Sequence, residues 1–367
     1  MTRRAPRLSR RDFLRSAALG GSGLLAAYAL ACEDGDDAAS STATPPPDTA
    51  VAATPDETDA PLSFSWRRLA TNGLQPAPRR DHSLVAAGSS LVLFGGRGPE
   101  GTMQDLWRYD VDADAWTEFG ATGPSARFGH NAVWDSARER VAVFGGQAAS
   151  AFFNDLWSFD PASNAWLQLS AGAGPAPRYG AAAAIDTAGR LVLSHGFTDS
   201  GRFDDTWLHD LASGVWTDVS PAEGPRPVER CLMRAVWDSK AQRLLMFGGQ
   251  TDATPYLGDL WAFDGAGWNE IAVDPKPSPR KFYAMAFDPD AGRAVLVGGD
   301  TEDGPANDVW TFDSATNAWT QHAPSGEAPS PRSGHDAVWL ADRRSLVVFG
   351  GNDGTNDLND LWELTVT

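Results

Sequence analysis

The sequence predicts an all-β fold, a ring of six four-stranded sheets closed by its own two ends, and three observations lead there. An apolar run ending in a Gly pair returns about every fifty residues, at SLVLFGG, RVAVFGG, RLLMFGG, RAVLVGG and SLVVFGG, with RLVLSHG as the variant third copy. A DLW-like stretch follows each run, and in five copies a second Trp comes seven or nine residues later: Trp107 with Trp116, Trp157 with Trp166, Trp207 with Trp216, Trp261 with Trp268, and Trp310 with Trp319. The sixth copy, NDLWELTVT, has no second Trp after Trp362, whereas SFSWRRL supplies an unmatched one, Trp66, ahead of the first copy. The expectation is a six-bladed β-propeller in which the N-terminal strand completes the C-terminal blade, Ser65 to Leu69 lying beside Asp360 to Thr365. Such closure removes the edges that an open array would present.

Taken from the N-terminus, the first 31 residues belong to no core. Ser9 to Leu14 reads SRRDFL and resembles a twin-arginine export signal through Arg10 and Arg11, and Ala17 to Ala31 is uncharged but short for a membrane span. Ala29-Leu30-Ala31 before Cys32 also resembles a bacterial lipoprotein signal, which implies acylation of Cys32 and attachment to a membrane. The alternative is ordinary secretion with Cys32 as a free N-terminal residue. Residues 32–63 are rich in Asp, Ser, Thr, Ala and Pro and carry no basic residue. A segment of that composition buries too little apolar surface to offset its ordering, so it is expected to be a disordered tether spanning about 30 Å.

Residues 64–367 hold the blades. In each unit the first strand follows a Pro-rich turn and an Arg, the second is the apolar run, the third carries DLW, and the fourth carries the second Trp. Runs without polar alternation suit strands covered on both faces. Six of the 15 Trp fall on third strands and six on fourth strands, and Trp134, Trp237 and Trp339 end first strands. Blade-to-blade packing therefore accounts for all of them. Cys231 is the only thiol of this region, so no intrachain disulfide forms there. With a net charge of −18 the chain repels phosphate backbones, and nucleic acid is excluded as a partner class.

The repeated Arg, Gly-Gly and double-Trp pattern resembles the kelch-repeat family over residues 64–367. The resemblance implies the propeller fold without implying one function, because kelch propellers include adaptor scaffolds, galactose oxidase and a periplasmic sialic acid mutarotase.

Strand parity puts the turns from second to third strands, and from fourth to the next first, on one face with Arg79, Arg127, Arg178, Arg230, Arg280 and Arg332. One reading makes this ring an anion-binding mouth. The other makes it scaffold, bonding carbonyls of the neighbouring blade. The Asp before each third-strand Trp is read as a turn stabiliser. Three residues after the Arg, His82, His130 and His335 fall in adjacent blades and are counted with the ligand-binding candidates. Three imidazoles could hold a metal, but no carboxylate is fixed beside them, and no metal is expected. Cys231 with Tyr283 would be the pair for a galactose oxidase-type copper site, a remote alternative, and no cofactor is expected.

DVDAD, Asp110 to Asp114, and GGNDGTNDLND read as turns rather than calcium loops. Phe152 and Phe197, outside the repeat pattern, form with Lys276 and Lys281 a candidate contact patch, whereas Met103, Phe153 and Phe203 fill a recurrent apolar slot and are expected to be buried. Short uniform loops without an acid/base constellation favour a binding module of the cell envelope that takes a protein or glycan on the Arg face. The competing expectation is an enzyme resembling the mutarotase, with Glu229 as its acid.

Overall fold

The computed structural model describes residues 62–70, 73–120, 122–172 and 174–367. Arg10, Arg11, Cys32 and nearly all of the tether lie outside them.

Six antiparallel blades surround one axis, each built on four strands, with a short additional strand, Arg280–Lys281, paired to the second strand of blade five. Blade one comprises Ser83–Ala87, Ser90–Phe94, Leu106–Asp110 and Ala115–Phe119, counted outward, and the same order recurs to blade five. Blade six draws three strands from the C-terminal end, Asp336–Leu340, Ser345–Asn352 and Asp357–Val366, and its outermost strand, Phe64–Arg68, from the other end of the chain. The register runs from Phe64 opposite Val366 to Arg68 opposite Trp362. The expected closure is thus present.

The core is a set of layers between blades. Second strands such as Leu91, Val92 and Leu93 are at most 2% exposed, because both of their faces meet a neighbouring blade. Fourth-strand Trp66, Trp116, Trp268 and Trp319 are buried, and Trp116 packs at 5.2 Å from Phe349 of the preceding blade. The Gly pairs take positive φ where the chain leaves the second strand. A Cβ on Gly95 would stand 2.6 Å from the Arg127 carbonyl of the next blade, so only glycine permits this approach without displacement.

The two suspected calcium loops are turns. In DVDAD the Asp110 carboxylate accepts the backbone N–H groups of Asp112 and Ala113, both at 3.0 Å, and Asp353 likewise caps Thr355 and Asn356.

Candidate functional site

On the Arg face the repeat builds the same triad six times. Each ring arginine is at most 1% exposed, and its guanidinium makes two parallel bonds of 2.6 to 3.0 Å to the Asp at the head of its own blade's third strand: Asp105, Asp155, Asp205, Asp259, Asp308 or Asp360. It also donates to the carbonyl of the first Gly of that blade's pair, or of His195 in blade three. The carboxylate in turn accepts the third-strand indole N–H at 2.7 to 2.8 Å. Burial pushes these carboxyls up, but the guanidinium bonds, with the indole N–H, outweigh it and hold all six below the usual carboxylate range.

This geometry corrects two expectations. Arg79, Arg127, Arg178, Arg230, Arg280 and Arg332 form no anion-binding mouth, because their donors are spent inside their own blades rather than offered to a ligand or to neighbouring carbonyls. The Asp of each blade is the partner of that Arg and not a turn stabiliser. Phe153 and Phe203 are only half-buried, for a related reason: they lie over Arg127 and Arg178 at 4.4 and 4.1 Å, as lids on the ion pairs.

The histidines are interior residues. His82, His130 and His335 are at most 2% exposed, and each turns its ring edge to the first Gly of the preceding blade's pair. His130 Nε2 meets Ser83 Oγ at 2.9 Å and His335 Nε2 meets the Val297 carbonyl at 3.0 Å. These separate engagements do not form a ligand set, and among the described residues no three His, Cys, Asp or Glu side chains converge as a metal site. Cys231 and Tyr283 are not joined either. Tyr283 directs its hydroxyl to the backbone of Arg234 and Phe247, whereas Cys231 is buried in the Arg-face aromatic cluster.

These imidazoles set an acid limit. Burial holds His82 and His130 well below the ordinary value of 6.5 and lowers His195 and His335 to about 3. A histidine whose folded value is depressed takes up its proton more readily when unfolded, so its contribution is complete above pH 6.5 and declines as the pH falls below it. Asp81 and Asp336, pushed up by burial, act in the opposite sense, but His209 and His322 are lowered by burial too, so the balance is two against six. Urea midpoints are expected to fall from pH 7 to pH 5. In His335→Gln the slope of stability against pH should be shallower by up to about 1.4 kcal/mol per pH unit. An unchanged slope would contradict this.

The patch residues divide. Phe152 and Phe197, each on a short ribbon beyond the second strand, meet edge to face at 5.9 Å and, with Phe282, half-cover a buried cluster of Phe128, Tyr179, Cys231 and Leu232. Arg97 and Arg202 lie over Phe128 and Phe197 at 4.6 and 5.3 Å. Lys281 does not join these rings. It binds Gln250 at 2.8 Å and covers Tyr256, and Lys276 stands exposed on the approach loop. Glu229 is likewise exposed, beside an Arg230 committed to Asp259, so the arrangement that a mutarotase-like mechanism would need is not assembled.

At the axis the Arg face is closed. Asp81, Gly129, Gly180, Leu232, Phe282 and Gly334, two residues after each ring Arg, all have positive φ and donate N–H groups head to tail around the ring at 2.8 to 3.0 Å. A Cβ on Gly129 would fall 2.0 Å from the Tyr179 ring, and one on Gly180 would fall 2.7 Å from Leu232 Cδ2. Side chains of adjacent blades therefore fill the space that these glycines vacate, and behind this lid lies a cavity of about 30 Å3.

The channel opens at the opposite face. There the first strands surround a funnel of about 390 Å3, rimmed by half-buried Trp134, Ile185, Trp237, Phe287 and Trp339. Packing does not account for these three Trp in full. Arg234 lines both the funnel and the small cavity, and its guanidinium reaches Asp336, two blades away, at 3.5 Å. The sequence reading missed this site, although a signal for it was present. The fourth position after each ring Arg reads Ser83, Asn131, Ala182, Arg234, Ala284 and Asp336, a column holding opposite charges in blades four and six.

Comparison with known proteins agrees with this architecture. Residues 61–236 and 219–367 match the KLHDC2/KLHL20/DRC7 Kelch-repeats domain. Similar chains include acyl-CoA-binding domain-containing protein 5 of Arabidopsis thaliana, 35% identical over 113 residues, which are 30% of this chain and 17% of that protein. Dynein regulatory complex subunit 7 of Chlamydomonas reinhardtii is 34% identical over 114 residues, 30% of this chain and 10% of that protein. The Rab9 effector protein with kelch motifs of Bos taurus is 37% identical over 89 residues, 24% of this chain and 23% of that protein. The chain thus spans less than a quarter of the length of each of these relatives. Two overlapping matches that together take in all six blades, with the same Arg, Asp and third-strand Trp arrangement in blade after blade, place the chain in the kelch-repeat family.

Proposed function

We propose that this protein is an exported kelch propeller that binds a protein partner through the Arg face and acts from a lipid tether in a bacterial cell envelope. The observation that carries the reading is the Phe152 and Phe197 pair, two half-buried rings meeting on a buried apolar cluster between blades two and three. Aromatic rings flanked by guanidinium groups are the composition enriched at protein contacts. Catalysis on this face lacks support, because the ring arginines are internally paired and Glu229 has no assembled partner. Export and tethering rest on Arg10, Arg11 and Cys32 and on the acidic, Pro-rich stretch that follows. The partner's identity is to be found by crosslinking in intact cells.

Two measurements test the parts separately. Cys32→Ala should move the protein from the membrane fraction to the soluble one and abolish acyl labelling. Phe152→Ser with Phe197→Ser should remove a crosslinked envelope partner, at some cost in thermal midpoint but with the β-rich circular dichroism of the folded chain retained. If the partner is retained in a folded double variant, the patch is not the contact.

A further inference from the structure

We propose that the axial funnel on the face opposite the Arg ring is a binding site for a small organic monocarboxylate with a flat apolar body, held by Arg234. This goes beyond the partner-binding reading and uses the other end of the axis.

The charge argument comes first. Among the described residues Arg234 is the one cationic side chain that lines the funnel, and its side chain is 25% exposed there. Its charge partner among the described residues is Asp336, and the 3.5 Å separation lies outside the range of a good N–H···O bond. By contrast, the ring arginines sit at 2.6 to 3.0 Å from their carboxylates with nearly every donor used. Asp336 has partners besides Arg234, since its oxygens also accept the backbone N–H groups of Leu84 and Ala337, both at 3.0 Å. The guanidinium therefore retains a donor edge for an incoming carboxylate. One guanidinium close to one carboxylate also selects the ligand's charge. A monoanion finds donors, whereas a phosphate dianion would meet the Asp336 charge as well.

Shape supplies the second constraint. A volume of about 390 Å3 is within the usual range for small-molecule sites. The walls between floor and rim are chiefly the Ala, Val and Met side chains of first strands, and Trp134, Trp237, Phe287 and Trp339 stand at the mouth, so a planar apolar body would be enclosed by rings. The closed Arg face makes the funnel blind: a ligand enters and leaves by the aromatic rim. Asn131 also lines the funnel, its amide nitrogen held by the Ala181 carbonyl at 2.9 Å.

Isothermal titration of the full chain with 2-naphthoate, and with uncharged 2-naphthamide as control, tests the proposal. The acid is expected to bind with Kd below about 1 mM and the amide at least tenfold more weakly. Arg234→Met combined with Asp336→Asn, which avoids stranding either charge, should weaken the acid at least tenfold and leave the amide unchanged. Asp336→Asn alone keeps the guanidinium and removes the competing anion, so it should tighten the acid several-fold. The Phe152→Ser and Phe197→Ser pair should leave both affinities unaltered, which separates this site from the partner patch. No binding of the acid at about 10 mM, equal affinity for acid and amide, or weaker binding in Asp336→Asn would each overturn the assignment.

Discussion

Arg127→Ala is expected to destabilise the propeller by about 3–5 kcal/mol, read as a shift of the urea midpoint at unchanged slope. The substitution leaves Asp155 facing Trp157 and the interior without its cation, and it orphans the carbonyls of Ser125 and Gly145. The loss comes from an uncompensated charge rather than from the intrinsic worth of an ion pair, and that distinction can be measured. Arg127→Met combined with Asp155→Asn keeps the indole acceptor and removes both charges, so it should cost less than Arg127→Ala alone. A double variant as unstable as the sum of the two single ones would mean that the two charges are not coupled and would contradict this account. Because the triad recurs in every blade, the equivalent change at Arg178 or Arg280 should cost a similar amount.

Trp66→Ala should cost about 3–5 kcal/mol, the usual range for truncating a buried Trp, and removal of residues 62–70 should cost more. Trp66 is 5% exposed in a cluster with Trp362, Leu364 and Val366, and its strand covers what would otherwise be the outer edge of blade six. A further tie makes the strand part of the ring: the Trp66 N–H donates to the Ser325 carbonyl of the loop leading out of blade five at 2.8 Å. Losing the strand exposes a ladder edge beside an apolar face, a combination that templates association between chains. Size-exclusion chromatography should show oligomers at concentrations where the intact chain is monodisperse. A truncated chain that stays monomeric with an unchanged thermal midpoint would show that closure contributes nothing.

Much of the fold was legible because each blade repeats the same solution to the same packing problem. Trp66 and Trp362 each lack a counterpart, and together they disclose the closure. The triads were only half legible. Arg and Asp each stood out as one per blade, but nothing in their spacing of 26 to 29 residues says that they meet, since that contact depends on how far the third strand returns across the sheet. Phe152 and Phe197 were recognised as outside the pattern, and the fold brought them together. Lys281 was named with them, but a neighbouring glutamine and tyrosine claim it.

By itself, then, the amino-acid pattern determined the blade count, the strand order and the exchange at the termini, since these follow from periodicity and from the need to cover apolar strands on both faces. Only the tertiary structure decided which end of the axis is open. The residues that close it at Asp81, Gly129, Gly180, Leu232, Phe282 and Gly334 share a backbone conformation and a hydrogen-bonded ring rather than a side-chain motif. Arg234 and Asp336 lie about a hundred positions apart in the chain, and it is closure around a common axis that brings their charges within 3.5 Å.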